Sequence, residues 1–460
     1  MKLGGRAVGS SRKRYWCGLA LVATLCLPAC RLLRSRHVEP VTINWNTHHQ
    51  TIDGFGASAT GYAFGFTPQQ ANQFFNAEGG LGLSLVRLRV IPDTKDADCD
   101  CVANSEPNQC VHGSTSQILS GDLQVAQEAA ARGARLIASP WSPPGEMKSS
   151  GKYCSAGSML GTPDNYAKYA DDLADFLVLL RGKSLSVDAL SIQNEPDMEN
   201  EQYDTCRWTG KQIHDFIPVL SHAISKSGQA VKIAAPEQSS WAFDAMIETL
   251  NDPPVDDKVG LVLGHAYGSE NPSGIPAVDA RHVWQTEVGD SQPFDGSMQN
   301  GLRWARSIHN YMTIGANAWM YWSLSCGERH FNGVNNMCLT GKDGKLAKRA
   351  YVLGQYAKFI RPGWQRIGVT NDGPLLVTAY RGPGNEFAIV TINPDSSPVK
   401  DQKFELPGVT ASRSTVTPWI TSTSLSLAAA PTLSLAPGDA AAFTYTIPAS
   451  SVVTFKGKAD

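Results

Sequence analysis

From residue 52 to residue 360 the chain alternates short β-rich apolar runs with stretches of helical spacing, and this alternation constrains the fold most. Strand candidates are Ile52–Ala57, Leu83–Ile91, Arg135–Ser139, Ala189–Asn194, Val231–Ala235, Leu261–Ala266, His282–Glu287 and Ala316–Trp322. Helical stretches lie between them at Pro68–Glu78, Gln124–Arg132, Pro163–Leu180, Lys211–Ser225 and Met298–Met312. In the third of these, Tyr166, Tyr169, Leu173, Phe176, Leu177 and Leu180 recur at three and four, which is one apolar stripe on a helix. Strands joined through helices run parallel, and eight of them close into a (β/α)8 TIM barrel. An open doubly wound sheet is the competing architecture, and the absence of a Gly-rich dinucleotide fingerprint after the first strand counts against it.

After Pro362 the pattern changes to short β-rich runs parted by Gly, Pro, Asn and Ser, at Leu376–Ala379, Phe387–Ile392, Ser414–Ile420, Thr432–Leu435 and Ala442–Ile447. These predict an attached β-sandwich, and Val41–Trp45 is a strand ahead of the barrel that joins it. The expected organisation is therefore an N-terminal strand over 41–50, a catalytic barrel over 51–360 and a side domain over 361–460. Support of the barrel is the expected role of the side domain. With 42% hydrophobic and 18% charged residues the chain has ample core material, which excludes disorder for its bulk. A formal charge of −2 leaves no basic excess to hold a nucleic-acid backbone.

The N-terminus reads as an address. Lys2, Arg6, Arg12, Lys13 and Arg14 precede the mostly apolar stretch Tyr15–Ala29, which has the length of a signal peptide and is short for a membrane span. Residues 1–29 are the expected signal and residues 30–40 a tether. Leu27-Pro28-Ala29-Cys30 resembles a bacterial lipoprotein box, so Cys30 is a candidate lipid anchor, with ordinary cleavage as the alternative. Export from a bacterium follows, either secreted, periplasmic or on the outer surface. Beyond Cys17, Cys26 and Cys30 there remain Cys99, Cys101, Cys110, Cys154, Cys206, Cys326 and Cys338. Disulfides suit an oxidising compartment, Cys326 with Cys338 is one available pair, and an odd number leaves one thiol free. The Cys99-Asp100-Cys101 spacing does not fit the usual two-residue gap of a zinc site.

Active residues of such barrels stand at the C-terminal strand ends. The fourth strand runs into Gln193-Asn194-Glu195-Pro196 and the seventh ends in Trp284-Gln285-Thr286-Glu287, so two glutamates face one another across the mouth. Paired carboxylates suit glycosidic hydrolysis, one protonating the leaving oxygen and the other stabilising or attacking the anomeric carbon. Trp141 after the third strand, His265 and Tyr267 after the sixth, and Tyr321 and Trp322 on the eighth add an aromatic rim that suits sugar faces. Arg87 and Arg89 stand on the second strand, where interior ion pairs are the competing reading. Taken singly, each aromatic is more often core packing, and it is their accumulation on one rim that favours the active-site reading. A metal hydrolase would need clustered ligands, and only His265 qualifies among these strand ends.

The stretches TIDGFGASATGYAFG, LGLSLVRLRV, ASPWSPPGEMKSSG, LSIQNEPDMEN, HVWQTEVGD and YAKFIRPGWQRIG resemble glycoside hydrolase family 30, close to its bacterial endo-xylanase branch, over about residues 41 to 455. The resemblance implies the barrel with a side β-sandwich. It implies Glu195 as acid/base and Glu287 as nucleophile of a retaining mechanism, with the carboxyl groups about 5 Å apart. It places Asn194 on the sugar 2-hydroxyl, Tyr267 on the nucleophile and Trp141 with Trp322 as a sugar platform. Trp208, Arg89 and His265 complete the expected substrate-binding set. No metal or organic cofactor is implied, the partner is a polysaccharide, and a monomer is expected. Glucuronoxylan-specific members carry an arginine soon after the eighth strand's aromatic pair. Here that stretch reads Tyr321-Trp322-Ser323-Leu324-Ser325-Cys326-Gly327-Glu328, with Arg329 beyond it, and a glutamate there repels a carboxylate. The expected activity is an endo-acting β-1,4-xylanase independent of glucuronate side groups. The alternatives are hydrolysis of β-1,6-galactan or β-1,6-glucan, and a non-catalytic surface glycan-binding protein.

Overall fold

The computed structural model describes residues 39–59, 66–91, 115–201, 203–276, 278, 280–325, 337–341, 343–410, 414–438 and 440–459, with residues 115–120 as backbone. The signal and tether expectations, Cys30, Cys99, Cys101, Cys110, Cys326 and the Glu328–Arg329 stretch lie outside these residues. Among the described residues no helix is long and apolar enough to cross a membrane. Cys154 is in a disulfide, Cys338 is in a disulfide as well, and Cys206 is a buried free thiol.

A strand β1 (Val41–Thr51) precedes eight strands that close into a barrel: β2 (Gly54–Ser58), β3 (Leu85–Val90), β4 (Arg135–Pro140), β5 (Val187–Ser191), β6 (Lys232–Gln238), β7 (Val259–His265), β8 (Val283–Glu287) and β9 (Ala318–Ser323). Every neighbouring pair is parallel, and β2 pairs with both β3 and β9 to complete the ring. These strands are buried on both faces, which is why they read as apolar runs rather than as alternating ones. Gly56 shows how closely they pack: a Cβ there would lie 2.2 Å from the Leu85 carbonyl oxygen. The lower interior is filled by Leu85, Ile137, Ala189, Leu261, Leu263, Trp284, Ala318 and Met320. Two residues along β3, the same inward face carries Arg87 in place of Leu85, so the filling turns from apolar to charged towards the strand ends.

The helices follow from the pattern that predicted them. Pro163–Gly182 opens on Thr162, whose hydroxyl accepts from the Asn165 amide at 3.2 Å, and Pro163 sits at the first helical position. Its stripe from Tyr166 to Leu180 is buried. Gly210–Lys226 opens with a capping box between Thr209 and Gln212.

Beyond the barrel, β10 (Gln365–Thr370), β11 (Leu376–Arg381), β12 (Glu386–Asn393), β13 (Val399–Leu406), β14 (Thr415–Thr421), β15 (Ala428–Ala429), β16 (Leu433–Ser434), β17 (Ala441–Ile447) and β18 (Ser451–Lys458) join β1 in one ten-stranded sheet. Strand β1 lies between β10 and β13, and β1–β13 is its parallel pair. The two layers expected of a sandwich are thus parts of one hydrogen-bonded sheet curled over its own core, which holds Val41, Ile43, Trp45, Phe387, Phe404, Phe443 and Phe455. The Phe404 and Phe443 rings stack at 4.9 Å.

Candidate active site

Six barrel strands deliver side chains to one buried polar cluster. Arg87, on β3, is fully buried and reaches four partners. Its Nη1 donates to Glu287 Oε2 at 2.7 Å, its Nη2 to Asn194 Oδ1 at 2.5 Å, and its Nε to Glu237 Oε1 at 3.0 Å and Ser139 Oγ at 3.2 Å. Its guanidinium also lies 4.5 Å from the centroid of the Trp141 ring. A planar five-donor group is suited to tie four strands together in this way.

Glu195 follows β5, where the chain turns. Regular pairing ends at Ser191, earlier than the expected Asn194, because the Asn194 amide donates to the Pro140 carbonyl and Glu195 takes φ 46°. Its Oε1 accepts from His265 Nδ1 at 3.0 Å, and Tyr203 donates to its Oε2 at 3.4 Å. Glu287 ends β8 and accepts from Arg87 and, at 3.0 Å, from the Tyr267 hydroxyl. Donor atoms of Glu195, His265 and Glu287 all lie within 4.8 Å of one another. That separation matches the carboxyl spacing of retaining glycosidases, about 5–5.5 Å, and not the wider inverting one. No second group of three His, Cys, Asp or Glu donors converges among the described residues, and Arg87 and His265 supply the positive charge here.

Electrostatics follow from burial and pairing. Burial opposes charge on His265, yet Glu287, Glu195 and Glu237 around it hold its pKa at about 9. Burial also opposes ionisation of Glu237, and the Arg87 and His265 charges overcome it, bringing that carboxyl to about 2. Glu287 is pushed up by burial, against the pull of His265, Arg87 and the Tyr267 hydroxyl.

The structure thus gathers Trp141, Asn194, Glu195, His265, Tyr267, Glu287 and Trp322 in one place. The Trp141 and Trp322 rings lie 5.8 Å apart at 46°, beside the carboxylates. Three expectations need correction. Trp208 is not in the cleft: it is buried in the core with Tyr166, Tyr169 and Phe216, stacked on Tyr166 at 6.1 Å. His265 does not reach for sugar, since it is fully buried with Nδ1 on Glu195 and Nε2 3.7 Å from Glu237. Arg89 pairs with Asp204 and lies 5.6 Å from the Trp141 ring, so it braces the platform. Asp204 also accepts from Tyr153 at 3.0 Å, joining the loops that follow β4 and β5.

Sequence reasoning missed Glu237, Tyr203, Asp204 and Ser139. Glu237 was findable as a third strand-end glutamate, because the apolar run of β6 continues into Pro236-Glu237-Gln238. Next to Tyr267 lies a cavity of about 250 Å³ lined by Tyr267, Glu270, Val288, Asp290, Gln292 and Arg303, among others. Within it Arg303 donates to Asp290 at 2.5 Å and pairs with Glu270.

A family model for the glycosyl hydrolase family 30 TIM-barrel domain matches residues 115–274. The chain is 28% identical to glucuronoxylanase XynC of Bacillus subtilis (strain 168) over 430 residues, 90% of this chain and 91% of that one. It is similar to the glycoside hydrolase family 30 subfamily 8 xylanase Xyn30A of Clostridium acetobutylicum, with a TM-score of 0.75 and 30% identity over 91% of this chain and 99% of that one. The chain belongs to glycoside hydrolase family 30. A family 30 endoxylanase of Clostridium papyrosolvens C71 gives a TM-score of 0.73 and 30% identity, covering 91% of this chain and all of that one. This glycoside hydrolase therefore lies near the xylanase and glucuronoxylanase branch of family 30.

Proposed function

We propose that this family 30 hydrolase is a retaining, endo-acting β-1,4-xylanase that does not depend on glucuronate side groups. The observation that carries the mechanism is the pair Glu195 and Glu287, with oxygens within 4.8 Å and the Trp141–Trp322 platform beside them. Glu287, ionised against Arg87 and the Tyr267 hydroxyl, attacks the anomeric carbon. Glu195 gives its proton to the departing glycosidic oxygen, and a covalent glycosyl-enzyme forms. Glu195, now a carboxylate, takes a proton from water, which attacks the anomeric carbon and releases Glu287. Asn194, its Oδ1 held by Arg87, offers its amide N–H to the sugar 2-hydroxyl.

Similarity to xylanases over about nine-tenths of the chain supports xylan as substrate. Independence of glucuronate is supported by two features: in the sequence no arginine follows the Tyr321-Trp322 pair before Glu328-Arg329, and the cavity beside Tyr267 has Arg303 already neutralised by Glu270 and Asp290.

Product analysis on unsubstituted xylan, glucuronoxylan and β-1,6-galactan tests the reading, with Glu287→Gln as control. Mixed xylo-oligosaccharides that ignore glucuronate positions are expected from both xylans. The control should lose roughly 10⁵-fold or more in kcat while still binding xylan. Cleavage of the galactan alone would move the substrate elsewhere, and an active control would refute Glu287 as nucleophile.

A further inference from the structure

Glu237 is the third carboxylate of the cluster and has no part in the two-carboxylate chemistry. It is fully buried at the end of β6, with φ 58°. Its Oε1 accepts from Arg87 Nε at 3.0 Å and from the Thr286 hydroxyl at 3.0 Å, and lies 3.7 Å from His265 Nε2. Its carbonyl accepts from the Glu195 amide at 3.0 Å. Each of its two cationic neighbours has its other end on a catalytic carboxylate, Arg87 on Glu287 and His265 on Glu195. A left-handed backbone at a non-glycine residue persists only where its surroundings over-determine it, and such outliers gather at functional sites.

We propose that Glu237 is the positioning residue of this site, the fixed anion that ties Arg87 and His265 together from below and keeps His265 an imidazolium against Glu195. This rests on the glycosidase reading. The groups facing the imidazole are Glu195 from the loop after β5, Glu237 from β6, Tyr267 beyond β7 and Glu287 from β8, with Tyr203 on the far side of Glu195 and Arg87 of β3 sharing Glu237 and Glu287 with it. Glu237 and Glu287 are the two anions that balance the Arg87 and His265 cations in the buried cluster. Removing the Glu237 charge leaves a net buried cation. The readiest relief is loss of the His265 proton, which removes one of its two N–H donors.

The test is an NMR titration of the full chain with labelled histidine, the His265 signal being assigned through its loss in His265→Gln. The wild-type imidazole should remain protonated at pH 7.5. In Glu237→Gln its midpoint should fall by about one to three pH units. The alkaline limb of kcat/KM on xylan should move down with it, because a site stripped of an anion releases protons at lower pH. The same variant should lose about 10²-fold in kcat with a smaller change in KM, and Glu237→Asp should restore part of both. A neutral wild-type His265 at pH 7.5 overturns the proposal, as does a Gln variant with unmoved midpoint and limbs. Should Glu237→Gln not fold, the wild-type titration and the Asp variant decide. The NMR reading needs no substrate, so failure of the xylanase assignment is seen separately, as a wild-type chain without activity.

Discussion

Glu195 and Glu237 both sit in the left-handed region, at φ 46° and 58°, on consecutive strand ends joined by the Glu195 amide and the Glu237 carbonyl. The barrel's parallel ladder holds both in place, and the strain lets two carboxylates leave their strands towards one imidazole. Tyr267 acts on the other carboxylate. Its hydroxyl donates to Glu287 Oε1 at 3.0 Å, so Tyr267→Phe removes a hydrogen bond to a charged group. The expected cost is about 10- to 100-fold in kcat with KM little changed, measured by steady-state kinetics on xylan. A KM effect alone would mean that Tyr267 binds sugar instead. At this scale the convergence of Glu195 and Glu287 was legible in the sequence, because Asn-Glu-Pro and Gln-Thr-Glu stand at strand ends. The supporting layer was less so: nothing in Arg89 or His265 says whether a polar side chain faces substrate or another side chain.

Elements were more legible than contacts. Alternation of apolar runs with helical spacing is a property of many residues together, and all eight barrel strands lie where it put them, within a few residues at their ends. Strands β10, β13, β15 and β18 were not anticipated; β10 begins Gln365-Arg366 and β13 reads Val399-Lys400-Asp401-Gln402-Lys403, runs too polar to stand out, and β15 is only Ala428–Ala429. Trp208 shows the limit in a single side chain. It follows the Gln193-Asn194-Glu195-Pro196 stretch and is aromatic, so it passes for a cleft residue. A local signal pointed the other way, since it directly precedes the Thr209 cap of the Gly210–Lys226 helix, where an apolar residue staples back onto the helix. Trp208→Ala should therefore destabilise the fold by about 3–5 kcal/mol in chemical denaturation, with KM for xylan unchanged in the folded protein. A raised KM without loss of stability would return Trp208 to the cleft.

For the whole molecule, the buried charges make stability depend on pH. The His265 pKa is raised from 6.5 to about 9, so its contribution is complete below pH 6.5 and lost as pH rises through 9. The Glu237 pKa is lowered from 4.5 to about 2, so its contribution is complete above pH 4.5 and lost as pH falls through 2. These two groups together give a highest Tm between pH 4.5 and 6.5, falling on either side, which thermal denaturation across pH will check. A Tm that climbs from pH 6.5 to 9 would contradict a charged His265. The curled sheet shares this stability, because it docks on the barrel through buried bonds: Gln355 donates to Thr421 at 2.8 Å and Thr454 donates to the Gln355 carbonyl at 2.8 Å. The proposed function turns on the two carboxylates acting in succession on one sugar. The most direct measurement is ¹H NMR of a β-1,4-xylo-oligosaccharide in the first minutes of hydrolysis, before the anomers equilibrate. Double displacement by Glu287 and Glu195 predicts that the new reducing end appears first as the β anomer. First appearance of the α anomer would mean a single inverting attack by water, and would contradict the roles assigned to this pair.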